Sequence, residues 1–433
     1  MNRFAFLVPL LLACSLSAQQ PPQPGMPDAS LKVYGSKYYI VHTDLPADQV
    51  KEVVIRMNKM AEEYHARTQG FSGDIRQRLP FYLFKDREEY FQAGGLPGSA
   101  GVFDGSKLMA IAGEQTTSRT WHVVQHEGFH QFAHAVIRGE LPTWLDEGIA
   151  EYFGESLFTG DAFVSGVVPP WRLQRLQEEI KAGRLKSIKD IMFTSHEQWN
   201  GRLSIENYDE AWSMVHFLAH AEEGRYQDAF VSFMKLIGRG IPWPMAWKQT
   251  FGDASGFEQH WRAYWLGQPA SPTHELYVRA AAETFNSFLA RVAAQRQHFA
   301  TFDEFLSAAK AGTLQTGETM DNWLPQSLAQ KAAETAENLG VAWSLQTSAE
   351  RTPQIVCTLP DGSRMIGNYS LRGGHITGIA LDIDDTASVL RQAQSLIDQG
   401  KKPQARVLLQ HALRAHPNSP QVEQVRKLIK QSN

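Results

Sequence analysis

Residues 116–142 read TTSRTWHVVQHEGFHQFAHAVIRGELP, and the interpretation of the whole chain depends on this stretch. Thr117 or Ser118 can cap a helix at its start, and Gly139 followed by Pro142 can end one. Apolar residues recur at helical spacing, which predicts one buried flank: Trp121, Val124, Phe129, Phe132 and Val136.

The central pentapeptide HEGFH, residues 126–130, carries the chemistry of this helix. His126 and His130 lie one turn apart on the same face, so both can reach one metal ion. Glu127 lies over the same place, where its carboxylate can accept a proton from a water molecule that the metal activates. Two histidines leave a zinc site short of a protein ligand, so a third residue is needed downstream.

The stretch LPTWLDEGIAEYF, residues 141–153, supplies that residue. It predicts a second helix on which Glu147 and Glu151 lie one turn apart and face the first helix. Glu147 can bind the metal, and Glu151 can accept the spare N–H of a ligating histidine and fix its tautomer. His122 and His134 extend the row of histidines, and we assign them to an ordinary polar helix face.

HEGFH followed by WLDEGIAEY resembles the gluzincin metallopeptidases, which include thermolysin and the aminopeptidase-N-type enzymes, and is similar to the bacterial peptidase MA-like group. The resemblance covers roughly residues 100–265. It implies Glu127 as general base and places the supporting acidic position on Glu151. It also implies one zinc ion per chain, held by three ligands: His126, His130 and Glu147.

A later stretch, ENYDEAWSMVHFL at 206–218, resembles the helix that follows the zinc site in these enzymes. Tyr208 matches the tyrosine that donates a hydrogen bond to the oxyanion in the aminopeptidase-N-type enzymes. An ordinary core tyrosine is the alternative. The Gly-x-Met-Glu-Asn signature of those aminopeptidases is absent, and GSKLMAIAGEQ at 105–115 is the nearest sequence, so we favour an endopeptidase.

Periodicity along the chain predicts an α+β fold class. Residues 31–115 predict a small α/β layer with a mixed sheet and a hairpin turning at Asp104–Gly105. The resemblance implies that residues 116–268 form a thermolysin-like helical part, which completes a metallopeptidase domain over 31–268. It also implies that the strand LMAIAG, residues 108–113, borders the cleft and pairs with an extended substrate, an ordinary sheet edge being the alternative.

The remaining chain predicts two further units. Residues 269–384 predict helices followed by a small antiparallel sheet. Residues 385–433 resemble tetratricopeptide repeats and predict a helical hairpin with a following helix. About one repeat is fewer than a free solenoid needs, so this tail must cap another domain or contact a protein partner.

The N-terminus predicts export. Residues 1–18 have the charge and apolar core of a signal peptide, and residues 19–30 form a Pro/Gln-rich linker. We therefore expect a secreted or periplasmic protein with no transmembrane span, the alternative being a lipid anchor at Cys14. A net charge of −4 gives no basic footprint for nucleic acid.

Together these features predict a secreted zinc metallopeptidase acting on a peptide or protein substrate. Two alternatives stay open. A non-catalytic surface protein could keep this fold and use it to bind a protein. A zinc hydrolase could act on a non-peptide amide, because HExxH defines the water chemistry rather than the leaving group.

Overall fold

The computed structural model describes residues 31–113, 116–201, 205–417 and 419–432. The predicted signal peptide, the Pro/Gln-rich linker and Cys14 lie outside these residues. A mixed N-terminal sheet, a small antiparallel sheet and many helices confirm the α+β class. In the described part of the chain, no helix is both long and apolar enough to cross a membrane.

The N-terminal layer is a five-stranded mixed sheet with two helices. Its elements are β1 (Lys32–Gly35), β2 (Tyr39–Thr43), α1 (Ala47–Thr68), β3 (Leu79–Phe84), α2 (Arg87–Gln92), β4 (Gly101–Phe103) and β5 (Leu108–Ile111). The strand order is β1-β2-β3-β5-β4, in which β2, β3 and β5 run parallel and the two outer strands run antiparallel to their neighbours.

This order corrects the expectation for the LMAIAG strand. That strand is β5, and it lies inside the sheet between β3 and β4. The hairpin at Asp104–Gly105 leads from β4 into β5, and β5 pairs with β3 on its other side. Strand β4 is therefore the edge strand, and it lies beside α3 (Ser118–Val136). The pairing of β5 with β3 leaves β4 outermost, and residue patterning alone did not show it.

A helical region with one two-stranded hairpin follows α3. Its elements are α4 (Thr143–Gly154), β6 (Leu157–Phe158), β7 (Phe163–Val164), α5 (Pro170–Ala182), α6 (Ile188–Met192), α7 (His196–Gly201), α8 (Ile205–Gly224), α9 (Gln227–Gly238), α10 (Trp243–Thr250) and α11 (Ala254–Leu266).

In the described part of the C-terminal third, three helices precede an antiparallel sheet along the chain and three helices follow it. Its elements are α12 (His274–Ala294), α13 (Phe302–Ala311), α14 (Gln326–Ala336), β8 (Ala342–Thr347), β9 (Pro353–Thr358), β10 (Arg364–Arg372), β11 (His375–Asp384), α15 (Thr386–Asp398), α16 (Lys402–Ala415) and α17 (Val422–Gln431). One hydrophobic core continues from α3, α4 and α8 into α12 and β9, whereas α15, α16 and α17 share a small core of their own.

Close helix contacts hold α3 and α4 in position. A Cβ atom at Gly128 would lie 2.9 Å from the Tyr64 hydroxyl of α1, so glycine lets α1 and α3 approach. A Cβ at Gly148 would lie 2.5 Å from the Ala211 carbonyl oxygen of α8. Buried Gln125 donates to the carbonyls that end α4, at Phe153 and Gly154, and satisfies acceptors that a helix end leaves free. These contacts fix α4 against α3.

We predict that Gly148→Ala destabilises the protein by about 1–3 kcal/mol, because the added methyl group has no room between α4 and α8. Denaturant unfolding of both proteins measures the difference. Gly256→Ala is the matched control, since Gly256 lies exposed on α11 with no atom near its Cβ position. That control should gain about 0.5–1 kcal/mol. Equal stabilities for the two variants would contradict the packing argument.

Candidate metal centre

Helix α3 begins at a capping box that fixes its first turn. The Thr117 hydroxyl accepts from the Thr120 backbone N–H at 3.2 Å, and the Thr120 hydroxyl accepts from the Thr117 N–H at 3.2 Å. His126 and His130 follow on one face, with their Nε2 atoms 3.2 Å apart. Both imidazoles therefore direct the same nitrogen toward one place.

Helix α4 brings Glu147 to the same place. Its Oε2 atom lies 3.3 Å from His126 Nε2 and 3.6 Å from His130 Nε2. This oxygen is buried and has no hydrogen-bond partner among the described residues. A buried carboxylate oxygen without a donor is costly, so its position calls for a cation.

The spacing of the three atoms fits a metal ion. Zinc binds imidazole nitrogen and carboxylate oxygen at about 2.0–2.2 Å, and in a tetrahedral site neighbouring ligand atoms then lie about 3.3–3.6 Å apart. The separations of 3.2, 3.3 and 3.6 Å agree with that geometry. His126, His130 and Glu147 thus form a grouping that could hold a metal ion.

The charges of the site also favour a cation. Burial lowers the pKa of His126, but the nearby carboxylates of Glu147 and Glu151 more than offset this and raise it to about 10. Burial raises the pKa of Glu147, but the two imidazoliums outweigh it and lower that pKa to about 2. The carboxylates therefore attract positive charge to the imidazoles, and a divalent cation can supply it in place of protons.

Each histidine is held from behind by an acidic residue of α4. Glu151 Oε1 lies 3.0 Å from His126 Nδ1, the arrangement expected from the sequence. Asp146 Oδ2 lies 3.1 Å from His130 Nδ1, a role that the sequence did not predict. An N–H on each Nδ1 leaves Nε2 with a lone pair for a metal, so both acids select the ligating tautomer.

Arg172 of α5 is a second residue that the sequence interpretation missed. It is buried and pairs with Glu151 Oε2 at 2.6 Å, Glu155 Oε1 at 2.7 Å and Asp209 Oδ1 at 2.8 Å. Burial opposes the charge of Glu151, but Arg172 and the neighbouring histidines lower its pKa well below the usual range. Arg172 therefore holds Glu151 as a carboxylate in a fixed orientation.

His122, His126 and Glu151 form a second grouping that could hold a metal ion. Here the carboxylate is already neutralised by Arg172, and His122 Nε2 lies 3.7 Å from Glu151 Oε1. The site with Glu147 has an oxygen without a hydrogen-bond partner among the described residues, so it is the better metal site. His134 is exposed, as expected for an ordinary polar helix face.

Glu127 points toward the edge strand of the sheet. Its Oε2 atom accepts a hydrogen bond from the Phe103 backbone N–H of β4 at 2.9 Å. Gly101 permits this approach, because a Cβ there would lie 2.4 Å from Val123 Cγ1 and 3.4 Å from Glu127 Cγ. Glu127 directly follows His126 in the chain, and its half-buried carboxylate is thus held between α3 and β4.

Tyr208 lies beside the same group of residues. Its ring centroid is 6.2 Å from that of His126 and 5.4 Å from that of Trp199. Burial raises the pKa of Tyr208, and the charges of Glu147, Glu151 and Glu127 raise it further. The phenol therefore remains protonated near neutral pH and can act as a hydrogen-bond donor.

Comparison with known proteins finds a family model that matches part of the chain. Residues 121–243 match a family described as "Protein of unknown function (DUF1570)", and the match spans every residue of the predicted site. No curated protein and no solved structure matches the chain.

We predict that Asp146→Asn weakens metal affinity about 10–100-fold, as expected when a carboxylate behind a ligating histidine is lost. Competition with a chromophoric zinc chelator measures the affinity. Asp74→Asn is the matched control, because the Asp74 side chain is 87% exposed and pairs with His65 rather than with a ligating histidine. Equal zinc affinities for wild type and Asp146→Asn would show that Asp146 does not support His130.

Proposed function

We propose that this protein is a zinc-dependent metallopeptidase, secreted or periplasmic, that cleaves within peptide or protein substrates. The observation that carries the proposal is the convergence of His126 Nε2, His130 Nε2 and Glu147 Oε2 at one point. These three residues would hold the zinc ion. Zinc, when bound, is a Lewis acid that makes water nucleophilic near neutral pH and polarises a carbonyl group.

Glu127 acts as the general base in this proposal. Its carboxylate accepts a proton from the attacking water as the water oxygen bonds to the carbonyl carbon. The same group then delivers that proton to the amine nitrogen as the C–N bond breaks. The Phe103 N–H restricts the carboxylate to a position beside β4, which limits the geometries from which it can accept a proton.

Tyr208 supplies a neutral hydroxyl near the ligands. A hydrogen bond from this hydroxyl to the carbonyl oxygen would strengthen as negative charge develops there. Its raised pKa supports the role, since the group stays protonated while it donates.

Strand β4 is the element that we propose aligns the substrate. It pairs with β5 on one side, and its other side carries the Phe103 N–H toward Glu127. The Phe103 N–H already holds Glu127, so an extended peptide added along this edge would be held by other backbone groups of β4 and would lie next to the base. Such pairing makes little contact with the side chains of the substrate, so selectivity for particular side chains must come from other residues.

We predict that Glu127→Gln lowers casein hydrolysis by roughly 10²–10⁴-fold while the zinc content stays near one per chain. Glutamine keeps the size of the side chain but cannot accept the proton. Hydrolysis and metal content are measured on the same samples. Glu140→Gln is the matched control, because Glu140 is exposed and lies after α3 in the same stretch, residues 116–142.

The outcome separates the proposal from its alternatives. Full activity in Glu127→Gln would contradict the role of the base. Zinc-loaded wild type that cleaves no peptide but hydrolyses another amide would indicate a non-peptide hydrolase. Zinc-loaded wild type with no hydrolysis of either kind would favour a binding protein.

A further inference from the structure

Residues 385–433 differ in charge from the rest of the chain. They contain eight lysines and arginines against three acidic residues, a net charge of +5, whereas the whole chain carries −4. The residues that precede them therefore carry −9. Such an asymmetry between two parts of one chain is typical of a basic segment that contacts an anionic partner.

Helices α15, α16 and α17, which these residues form, join the rest of the protein at one end. There the Arg391 guanidinium pairs with Asp361 at 2.7 Å, and His416 lies 3.3 Å from Asp385, directly after β11. Among the described helices and strands, these three pack closely on one another around a core of their own. Helix α15 has 13 residues and is about 20 Å long, so it carries the chain well away from that junction.

Four exposed lysines lie at the opposite end of these helices: Lys401, Lys402, Lys427 and Lys430. The first two lie where α16 begins, and the other two lie in the last turns of α17. Arg406 joins the two places, because its Nη2 atom donates to the Ser432 carbonyl oxygen at 2.6 Å. The end of α17 therefore lies beside the first turns of α16, and both pairs of lysines share one end of the tail.

The four lysines direct their charge to solvent. In the described part of the tail, the ion pairs are made by Arg391, His416 and Arg426, and none involves these lysines. Lys401 Nζ donates to the amide oxygen of Gln399 at 2.9 Å, which is a neutral partner. The nearest acidic residue in the chain, Asp398, accepts from the Gln394 side chain at 2.9 Å. The free end of the tail thus presents uncompensated positive charge.

The residue type and the shape of this end favour a flat anionic surface. A lysine ammonium is a point charge, whereas bidentate recognition of one carboxylate or phosphate group uses the planar fork of arginine. The lysines lie on a projecting end, made by a turn and a helix terminus. A bilayer that contains anionic lipid attracts clusters of four or more lysines without a matching pocket. The predicted signal peptide would bring the protein to the outer face of such a membrane.

We propose that the free end of α15–α17 is a docking surface for a bilayer that contains anionic phospholipid. The acidic remainder of the chain is repelled by the same surface, so the protein approaches with this end first. Docking would hold the protein at the membrane while the candidate metal centre stays in the aqueous phase. The inference does not depend on the proposed peptidase function.

The test measures co-sedimentation of the protein with sucrose-loaded vesicles. Vesicles of phosphatidylcholine alone are compared with equimolar phosphatidylcholine and phosphatidylglycerol, at about 50 mM and about 500 mM NaCl. The protein lacks the predicted signal peptide, residues 1–18, which would itself enter a bilayer. The tail variant changes all four lysines of the free end to glutamine. The matched control makes the same change in charge at four exposed lysines elsewhere: Lys189, Lys235, Lys248 and Lys331.

We expect the wild-type protein to bind the anionic vesicles at low salt, at least about tenfold more strongly than vesicles of phosphatidylcholine alone. High salt should release it, because exposed charges are screened. The tail variant should lose at least about tenfold in binding, and the control variant should keep it. Both variants change exposed side chains, and circular dichroism checks that they are folded.

Three results would overturn the proposal. The first is no binding of the wild-type protein to anionic vesicles, and the second is an equal loss of binding in the two variants. The third is binding to another partner in place of the bilayer. A labelled decaglutamate peptide that binds without vesicle binding, and only when the four lysines are present, would indicate an acidic protein segment. Self-association that depends on the same lysines, again without vesicle binding, would indicate a second copy of this chain.

Discussion

Burial of Glu147 against His126 and His130 is the interaction on which the rest of the site depends. Removing a carboxylate from water costs several kcal/mol unless opposite charge compensates it. Helix α4 cannot move Glu147 away from the histidines. The close contact at Gly148 fixes α4 against α8, and the hydrogen bonds of Gln125 hold the end of α4 against α3. The fold therefore holds a negatively charged site that a divalent cation could stabilise, and a metal bound there should contribute to folding.

The charged residues around His126, His130 and Glu147 are arranged in layers. Asp146 and Glu151 support the two imidazoles from behind, and Arg172 compensates Glu151 in turn. Each layer fixes the orientation of the one before it, so little reorganisation is needed when a metal or substrate binds. On another side of the site, Glu127 is held toward β4, the strand that we propose aligns the substrate.

Much of the site could be predicted because it depends on local geometry. The spacing of four residues places both histidines on one face of α3, and places Glu147 and Glu151 on one face of α4, wherever the helices lie. Asp146 escaped prediction because neighbouring helical residues point in different directions, so its contact with His130 depends on how α4 crosses α3. Arg172 escaped because its acidic partners come from distant parts of the chain. The order of β4 and β5 likewise follows from the pairing of β5 with β3, which strand patterning does not determine.

Anomalous diffraction at the zinc edge, from crystals of the zinc-loaded protein, tests the central claim most directly. We predict one strong peak about 2.0–2.2 Å from His126 Nε2, His130 Nε2 and a carboxylate oxygen of Glu147. The same protein with Glu147→Gln should show that peak weakened or absent. A peak between His122, His126 and Glu151, or no ordered metal in wild-type protein soaked with zinc, would contradict the account.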